Sequence, residues 1–166
     1  MVSPEVLTCA DIAAADIDRL LGRYGIRAEW VAPGAPITGS FWGEPEAGIV
    51  GRRVYLRADT PVHSLLHEIS HIVCMTPDRR DVLHRDAGGD ALEESAVCYL
   101  QILLADYLPG VGRQRLMQDM DAWGYSFRLG STGRWFDDDA GDALAFLRRE
   151  SLVTRAGKAE FRLRGC

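Results

Sequence analysis

The amino-acid sequence predicts an α+β fold, and three features of the chain support this prediction. A chain of 166 residues, 47% of them hydrophobic, has the size of one ordinary domain with its own core. Residues 49–57 place arginines between apolar side chains and favour a strand. Residues 61–74 and 91–107 carry longer apolar patterns with helical start and stop signals. A small sheet packed against helices accommodates all three.

The N-terminal third is predicted to contain one helix and two strands. The helix runs from about Cys9 to Leu21, with Thr8 as its cap and glycines at positions 22 and 25 ending it. A first strand is expected at 27–32, and a Pro- and Gly-rich breaker follows it at 32–36. After a loop-rich stretch at 37–48, a second strand is expected at 49–57.

The clearest boundary is Asp59-Thr60-Pro61, where a capping residue directly precedes a proline at the first helical position. It predicts a helix from Pro61 to about Cys74. A polar loop over 78–90 follows. The other expected elements are helices at 91–107, 113–123 and 137–150, a strand at 125–129, and a hairpin of 152–154 and 161–163 that turns at Gly157.

Composition excludes several classes of protein. A net charge of −5 and a pI of about 5.3 disfavour a nucleic-acid partner. The sequence of residues 1–5 predicts no signal peptide, and no apolar run is long enough to span a membrane. The chain has four widely spaced cysteines, which are expected to be free thiols: Cys9, Cys74, Cys98 and Cys166. Free thiols favour a cytoplasmic protein, and the lack of a long apolar run predicts no membrane partner.

The motif that carries chemistry is His67-Glu68-Ile69-Ser70-His71, an HExxH sequence in the middle of the capped helix. Residues i and i+4 share one helix face, so two imidazoles there can bind one divalent ion. The glutamate beside the first histidine is placed to act as general base on a water molecule. We therefore expect a catalytic Zn²⁺ site held by His67 and His71, with Fe²⁺ as the alternative metal.

A third protein ligand is expected from the next helix. Glu93 shares its face with the apolar side that packs inward, so an inward carboxylate there needs a partner, and we assign it as the ligand. Glu94 lies on the wetter side and is the alternative. His84 is interpreted as a solvated histidine in a loop. His63, one turn before His67, is interpreted as partly exposed, or as a support for the site or a substrate contact.

These residues resemble the gluzincin-type metallopeptidases, and in particular the ImmA/IrrE family of small bacterial metallopeptidases that cleave repressors. The resemblance covers roughly Val54 to Leu108: a strand, the HExxH helix, and a helix with Glu-x-x-Ala, an aromatic residue and a Leu-Leu pair. In this sequence these are Glu93, Ala96, Tyr99 and Leu103-Leu104. It implies a zincin-like domain over residues 1–129, with residues 130–166 as a C-terminal helix and hairpin appendage of that domain.

A second resemblance is to the elongation factor P hydroxylase family, which shares His-Glu-Ile-Ser-His followed by paired arginines, here Arg79 and Arg80. It implies a non-haem iron hydroxylase in which the arginines matter, whereas a hydrolase leaves them as a solvated pair. A catalytically silent binding or regulatory module is the third hypothesis.

The leading hypothesis is a zinc hydrolase of peptide bonds in a peptide or protein substrate. The oxyanion stabiliser is left open among Tyr99, Tyr107, Tyr125 and Arg80, and the strand at 49–57 is a candidate edge for an extended substrate.

Overall fold

The computed structural model describes residues 5–166 and confirms the α+β class. Residues 1–4, which carry most of the signal-peptide expectation, lie outside the described part. The helices are α1 (Ala14–Arg23), α2 (Val62–Cys74), α3 (Pro77–Asp81), α4 (Ala91–Leu104), α5 (Gly112–Trp123), α6 (Thr132–Asp138) and α7 (Gly141–Arg149). The strands are β1 (Arg27–Trp30), β2 (Gly48–Val50) and β3 (Arg53–Leu56), and short 3₁₀ turns occupy Cys9–Asp11 and Ala105–Tyr107.

The three strands form a small mixed sheet in the order β1-β3-β2, with β1 parallel and β2 antiparallel to β3. The single strand expected over 49–57 is therefore two strands joined by a tight turn, in which Gly51 adopts a φ of 57°. Because β3 is paired on both sides, it is not a free edge for a substrate. The outer edge of β2 is also bridged, by Ser40 at Gly48 and by His84 at Val50. The expectation of a substrate strand on 49–57 is thus wrong for β3.

Helix α2 is the central element, packed between the sheet and α4. Five of its apolar side chains are completely buried: Leu65, Leu66, Ile69, Ile72 and Val73. They belong to a single hydrophobic core that also includes residues of the sheet and of the other helices. The predicted start of α2 is right to within one residue, but the predicted capping of this helix by Thr60 is wrong. Thr60 Oγ1 accepts the backbone N–H of Arg57 instead of an N–H of α2.

The C-terminal third differs most from the prediction. Residues 125–129 form no strand. The helix expected over 137–150 is α7, which begins at Gly141, and a separate helix, α6, precedes it at Thr132–Asp138. Ser131 accepts the backbone N–H of Arg134 and so starts α6 early. Asp139, which ends that helix, pairs with Arg128. The predicted hairpin is reduced to one isolated bridge between Val153 and Ala159.

Paired arginines 79 and 80 are not a solvated pair. Arg80 is only 1% exposed, and its guanidinium donates to the carbonyls of Ile72 (2.8 Å) and Met75 (2.8 Å) at the end of α2. It also donates to the carbonyl of Arg164 at 3.2 Å. A helix end leaves carbonyls without partners, and this arginine supplies the donors.

The C-terminal segment is part of the same hydrophobic core, to which α7 contributes Leu147 and the tail contributes Leu163. All four cysteines are free, as expected, and only Cys166 is exposed. Within residues 5–166, no helix combines the length and apolar character that a membrane crossing requires.

Candidate metal centre

The two motif histidines direct the same ring nitrogen to one point. Their Nε2 atoms lie 3.1 Å apart, and the rings meet edge to face with centroids 4.7 Å apart. This follows from the i, i+4 spacing on α2, which stacks the two side chains on one face. Burial, followed by the neighbouring charge of His67, lowers the pKa of His71 to about 4, so its imidazole is neutral at physiological pH. The neutral ring is the form that ligates metal.

Glu94 of α4 closes the group. Its Oε1 lies 3.1 Å from His67 Nε2, and its Oε2 lies 3.3 Å from His71 Nε2. Tetrahedral ligands at the roughly 2.0–2.1 Å of Zn–N and Zn–O bonds stand about 3.3 Å from one another. Two nitrogens and a carboxylate at these separations fit a divalent ion that each ligand contacts from a different direction. The residues present therefore fit a divalent metal ion.

The assignment of Glu93 as the third ligand is corrected by the structure. Its carboxylate accepts two hydrogen bonds from Arg79, at 2.8 and 2.7 Å, and one from Arg164 at 3.2 Å. The prediction that this side chain is buried was right, since it is 4% exposed. Its buried charge, however, is balanced by two guanidinium groups instead of a metal. Glu94, on the face expected to be wetter, is the one that reaches the histidines.

Gln101, which the sequence did not single out, orients His67. Its amide Nε2 donates to the carbonyl of His63 at 2.8 Å and lies 3.3 Å from Tyr125 Oη. The amide oxygen is therefore the atom that lies 2.9 Å from His67 Nδ1, and the proton is on that ring nitrogen. In the neutral form of His67, this tautomer leaves the Nε2 lone pair free for a metal.

His63 is a buried member of the same network, which corrects the interpretation of a partly exposed histidine. Its Nδ1 lies 3.2 Å from Tyr125 Oη, and its ring packs 5.0 Å from that of Trp123. Burial lowers its pKa to about 3. Its position agrees with the alternative interpretation from the sequence, in which His63 supports the site.

Cys98 is a further potential ligand that the sequence analysis treated only as a free thiol. Its Sγ and one ligand atom each of His67 and Glu94 all lie within 4.8 Å of one another. The available signal was spacing: Glu94, Cys98 and Gln101 recur at i, i+4 and i+7 and so share one face of α4. That face is turned towards the histidines of α2.

Glu68 lies beside these ligands at the junction of two cavities. The larger, about 430 Å³, and the smaller, about 200 Å³, both have His67, Glu68, Glu94 and Trp42 in their walls. The Glu68 side chain is 7% exposed, and no residue in the range 5–166 hydrogen-bonds its carboxylate. Burial raises its pKa to about 7, the range in which a carboxylate both accepts and returns a proton.

The other residues considered from the sequence lie elsewhere. Tyr99 stacks on Phe136 at 4.5 Å, and Tyr107 packs against Phe161. Of the four oxyanion candidates, Tyr125 alone lines a cavity at the histidines. His84 is exposed in its loop, as expected.

Comparison of the chain with protein-family models, with curated proteins and with solved structures finds no match.

Proposed function

We propose that the protein is a metal-dependent hydrolase of peptide bonds, with His67, His71 and Glu94 as the ligands of a zinc ion. The observation that carries the proposal is the convergence of two imidazole Nε2 atoms and one carboxylate at 3.1–3.3 Å. Glu68 stands beside them without a hydrogen-bond partner in the described chain. A zinc ion so held lowers the pKa of water and polarises a carbonyl group.

The residues of the chain supply the remaining steps. The Glu68 carboxylate takes a proton from the attacking water and returns it to the amine that leaves. Tyr125, hydrogen-bonded through its hydroxyl to His63 and Gln101, is held at the wall of the larger cavity, where it can face a substrate carbonyl oxygen. The two cavities share the ligand group and are otherwise lined by different segments of the chain, which suits a substrate that continues on both sides of the bond being cut.

The hydroxylase hypothesis shares the ligand set, because two histidines and a carboxylate also suit ferrous iron. The hydroxylase hypothesis was also based on the paired arginines Arg79 and Arg80. Arg80 is buried against the end of α2, and Arg79 is paired with Glu93, so neither is free to clamp the carboxylate of a cosubstrate. The hydrolase therefore remains the function that the geometry supports best.

The test uses protein purified without added metal. We expect about one metal ion per chain by elemental analysis, and none in the double variant His67→Ala/His71→Ala. On a peptide library, Glu68→Gln is expected to keep the metal and to lose activity by roughly 10²–10⁴-fold, the contribution of a positioned base. Assays with zinc and with ferrous iron, aerobic and anaerobic, complete the design.

A metal content of the double variant equal to that of the wild type would refute the proposed metal centre. Turnover that requires oxygen and iron, or that survives Glu68→Gln, would reject the hydrolase in favour of the hydroxylase. Metal binding with no turnover on any peptide would favour the silent binding module.

A further inference from the structure

The larger cavity beside the ligand group has a distinctive lining. It has a volume of about 430 Å³, within the roughly 300–1,000 Å³ of small-ligand sites. Its wall includes His67 and Glu68 together with three aromatic residues, Trp42, Trp123 and Tyr125. A substrate bound at the ligand group would place a neighbouring side chain here.

Glu46 supplies a carboxylate to this aromatic space. The backbone N–H of Ala47 donates to Ser64 Oγ at 2.9 Å, which fixes the segment against α2. Trp123 Nε1 donates to Glu46 Oε1 at 3.2 Å and so holds the carboxylate in place. In the part of the chain that the structure describes, no group hydrogen-bonds the second oxygen of Glu46.

The charge of the cavity is one-sided. Three carboxylates line it, those of Glu46, Glu68 and Glu94, and none of the described residues in its wall is Lys or Arg. A metal ion at the histidines offsets the charge of Glu94, and Glu68 is used by the reaction. Glu46 is then the carboxylate that has neither a cationic counterpart in the wall of the cavity nor a role in the reaction.

We propose that this cavity is a specificity pocket for a lysine or arginine side chain of the peptide substrate. The inference rests on the proposed function, of which it names the substrate class. Aromatic faces attract a cation within about 6 Å of the ring, and the alkyl stem of either side chain packs on the indole rings. A carboxylate at hydrogen-bond distance from the cation completes the recognition.

An apolar side chain of equal length would not satisfy the pocket. It would cover Glu46 and leave its free oxygen without water or a donor, which is unfavourable for a charged group. An acidic side chain would meet the like charge of Glu46. The pocket therefore selects by charge and not only by size.

The test measures binding without turnover. N-acetylated, C-amidated lysine, arginine, norleucine and glutamate are titrated into the ¹⁵N-labelled full-length chain, with and without zinc. The indole N–H signals of the four tryptophans are followed, and that of Trp123 is assigned with Trp123→Phe. We expect the Trp123 signal to shift with lysine and arginine, at an affinity about tenfold above that for norleucine.

Two carboxylate variants supply the control. Glu46→Gln is expected to remove the preference for cations, whereas Glu160→Gln, the same change at an exposed position, is expected to keep it. Trp42→Ala provides a second measurement that does not endanger folding, because this side chain is 75% exposed, and it should weaken lysine and arginine binding.

The proposal is overturned if norleucine binds as tightly as lysine, if Glu46→Gln retains the preference, or if the Trp123 signal does not respond. These outcomes are distinct from failure of the hydrolase. A chain that binds no metal or cuts no peptide can still give or withhold the Trp123 response, because the titration requires neither.

Discussion

Gln101 on α4 and His67 on α2 are joined by a 2.9 Å hydrogen bond between the amide oxygen and Nδ1. The bond fixes the tautomer of the histidine and turns its Nε2 towards Glu94. It also couples the two helices that carry the ligand group, since the same amide binds the backbone of His63.

Replacing Gln101 by leucine should lower metal affinity by roughly 10–100-fold, the usual effect of losing a hydrogen bond to a ligating histidine. Competition with a zinc-binding dye measures this directly. Gln101→Glu, which restores an acceptor for Nδ1, should recover a large part of the affinity. Leucine and glutamate variants of equal affinity would contradict the orienting role.

Neighbouring glutamates 93 and 94 give a matched pair of variants. Glu94→Gln should weaken metal binding by more than the roughly 10–100-fold expected for a supporting residue, because it removes a ligand. Glu93→Gln should leave metal affinity nearly unchanged and reduce the free energy of unfolding by about 1–3 kcal/mol, because two partly exposed arginines lose their charged partner. Dye competition and urea unfolding on both variants separate the two roles. A reversed pattern would return the ligand assignment to Glu93.

Arg80→Ala should reduce the free energy of unfolding by about 2–4 kcal/mol, because the carbonyls of Ile72 and Met75 lose their donor in a buried place. Arg52→Ala, the same change at an exposed position, should alter it by less than about 0.5 kcal/mol. Equal stability of the two variants in urea would mean that Arg80 does not stabilise the end of α2.

Acidification should destabilise the metal-free protein partly through His63. Its pKa is lowered from 6.5 to about 3 by burial, so the unfolded chain binds a proton that the folded chain does not. The stability that this provides is lost as pH falls below 6.5. Between pH 7 and pH 5, the wild type should lose about 1–2 kcal/mol more unfolding free energy than His63→Asn. Parallel pH profiles from urea titrations would contradict the assignment.

The sequence predicted correctly the elements whose boundaries are marked by residues within or next to them. Pro61 and the apolar pattern after it place α2 to within one residue, and the HExxH spacing places His67 and His71 on one face. Both depend on neighbours within a few residues. The α+β class follows from the same local patterns.

What the sequence did not predict depends on contacts between distant residues. The choice between Glu93 and Glu94 turned on burial, and burial alone cannot distinguish a metal ligand from an ion pair with Arg164, 71 positions away. Gln101 and Tyr125 reach the histidines only after α4 and α5 have packed against α2. No local spacing rule contains that information.

The tail has a consequence for the order of events during synthesis. Arg164 binds Glu93, and its Nη1 donates to the carbonyl of Cys74 at the end of α2. The two helices that hold the ligand group are thus fastened together by a residue translated long after both of them. On the ribosome, His67 and Glu94 emerge well before this clasp exists. We therefore expect the pair of helices α2 and α4 to reach its full stability only after Arg164 has been translated and has left the exit tunnel.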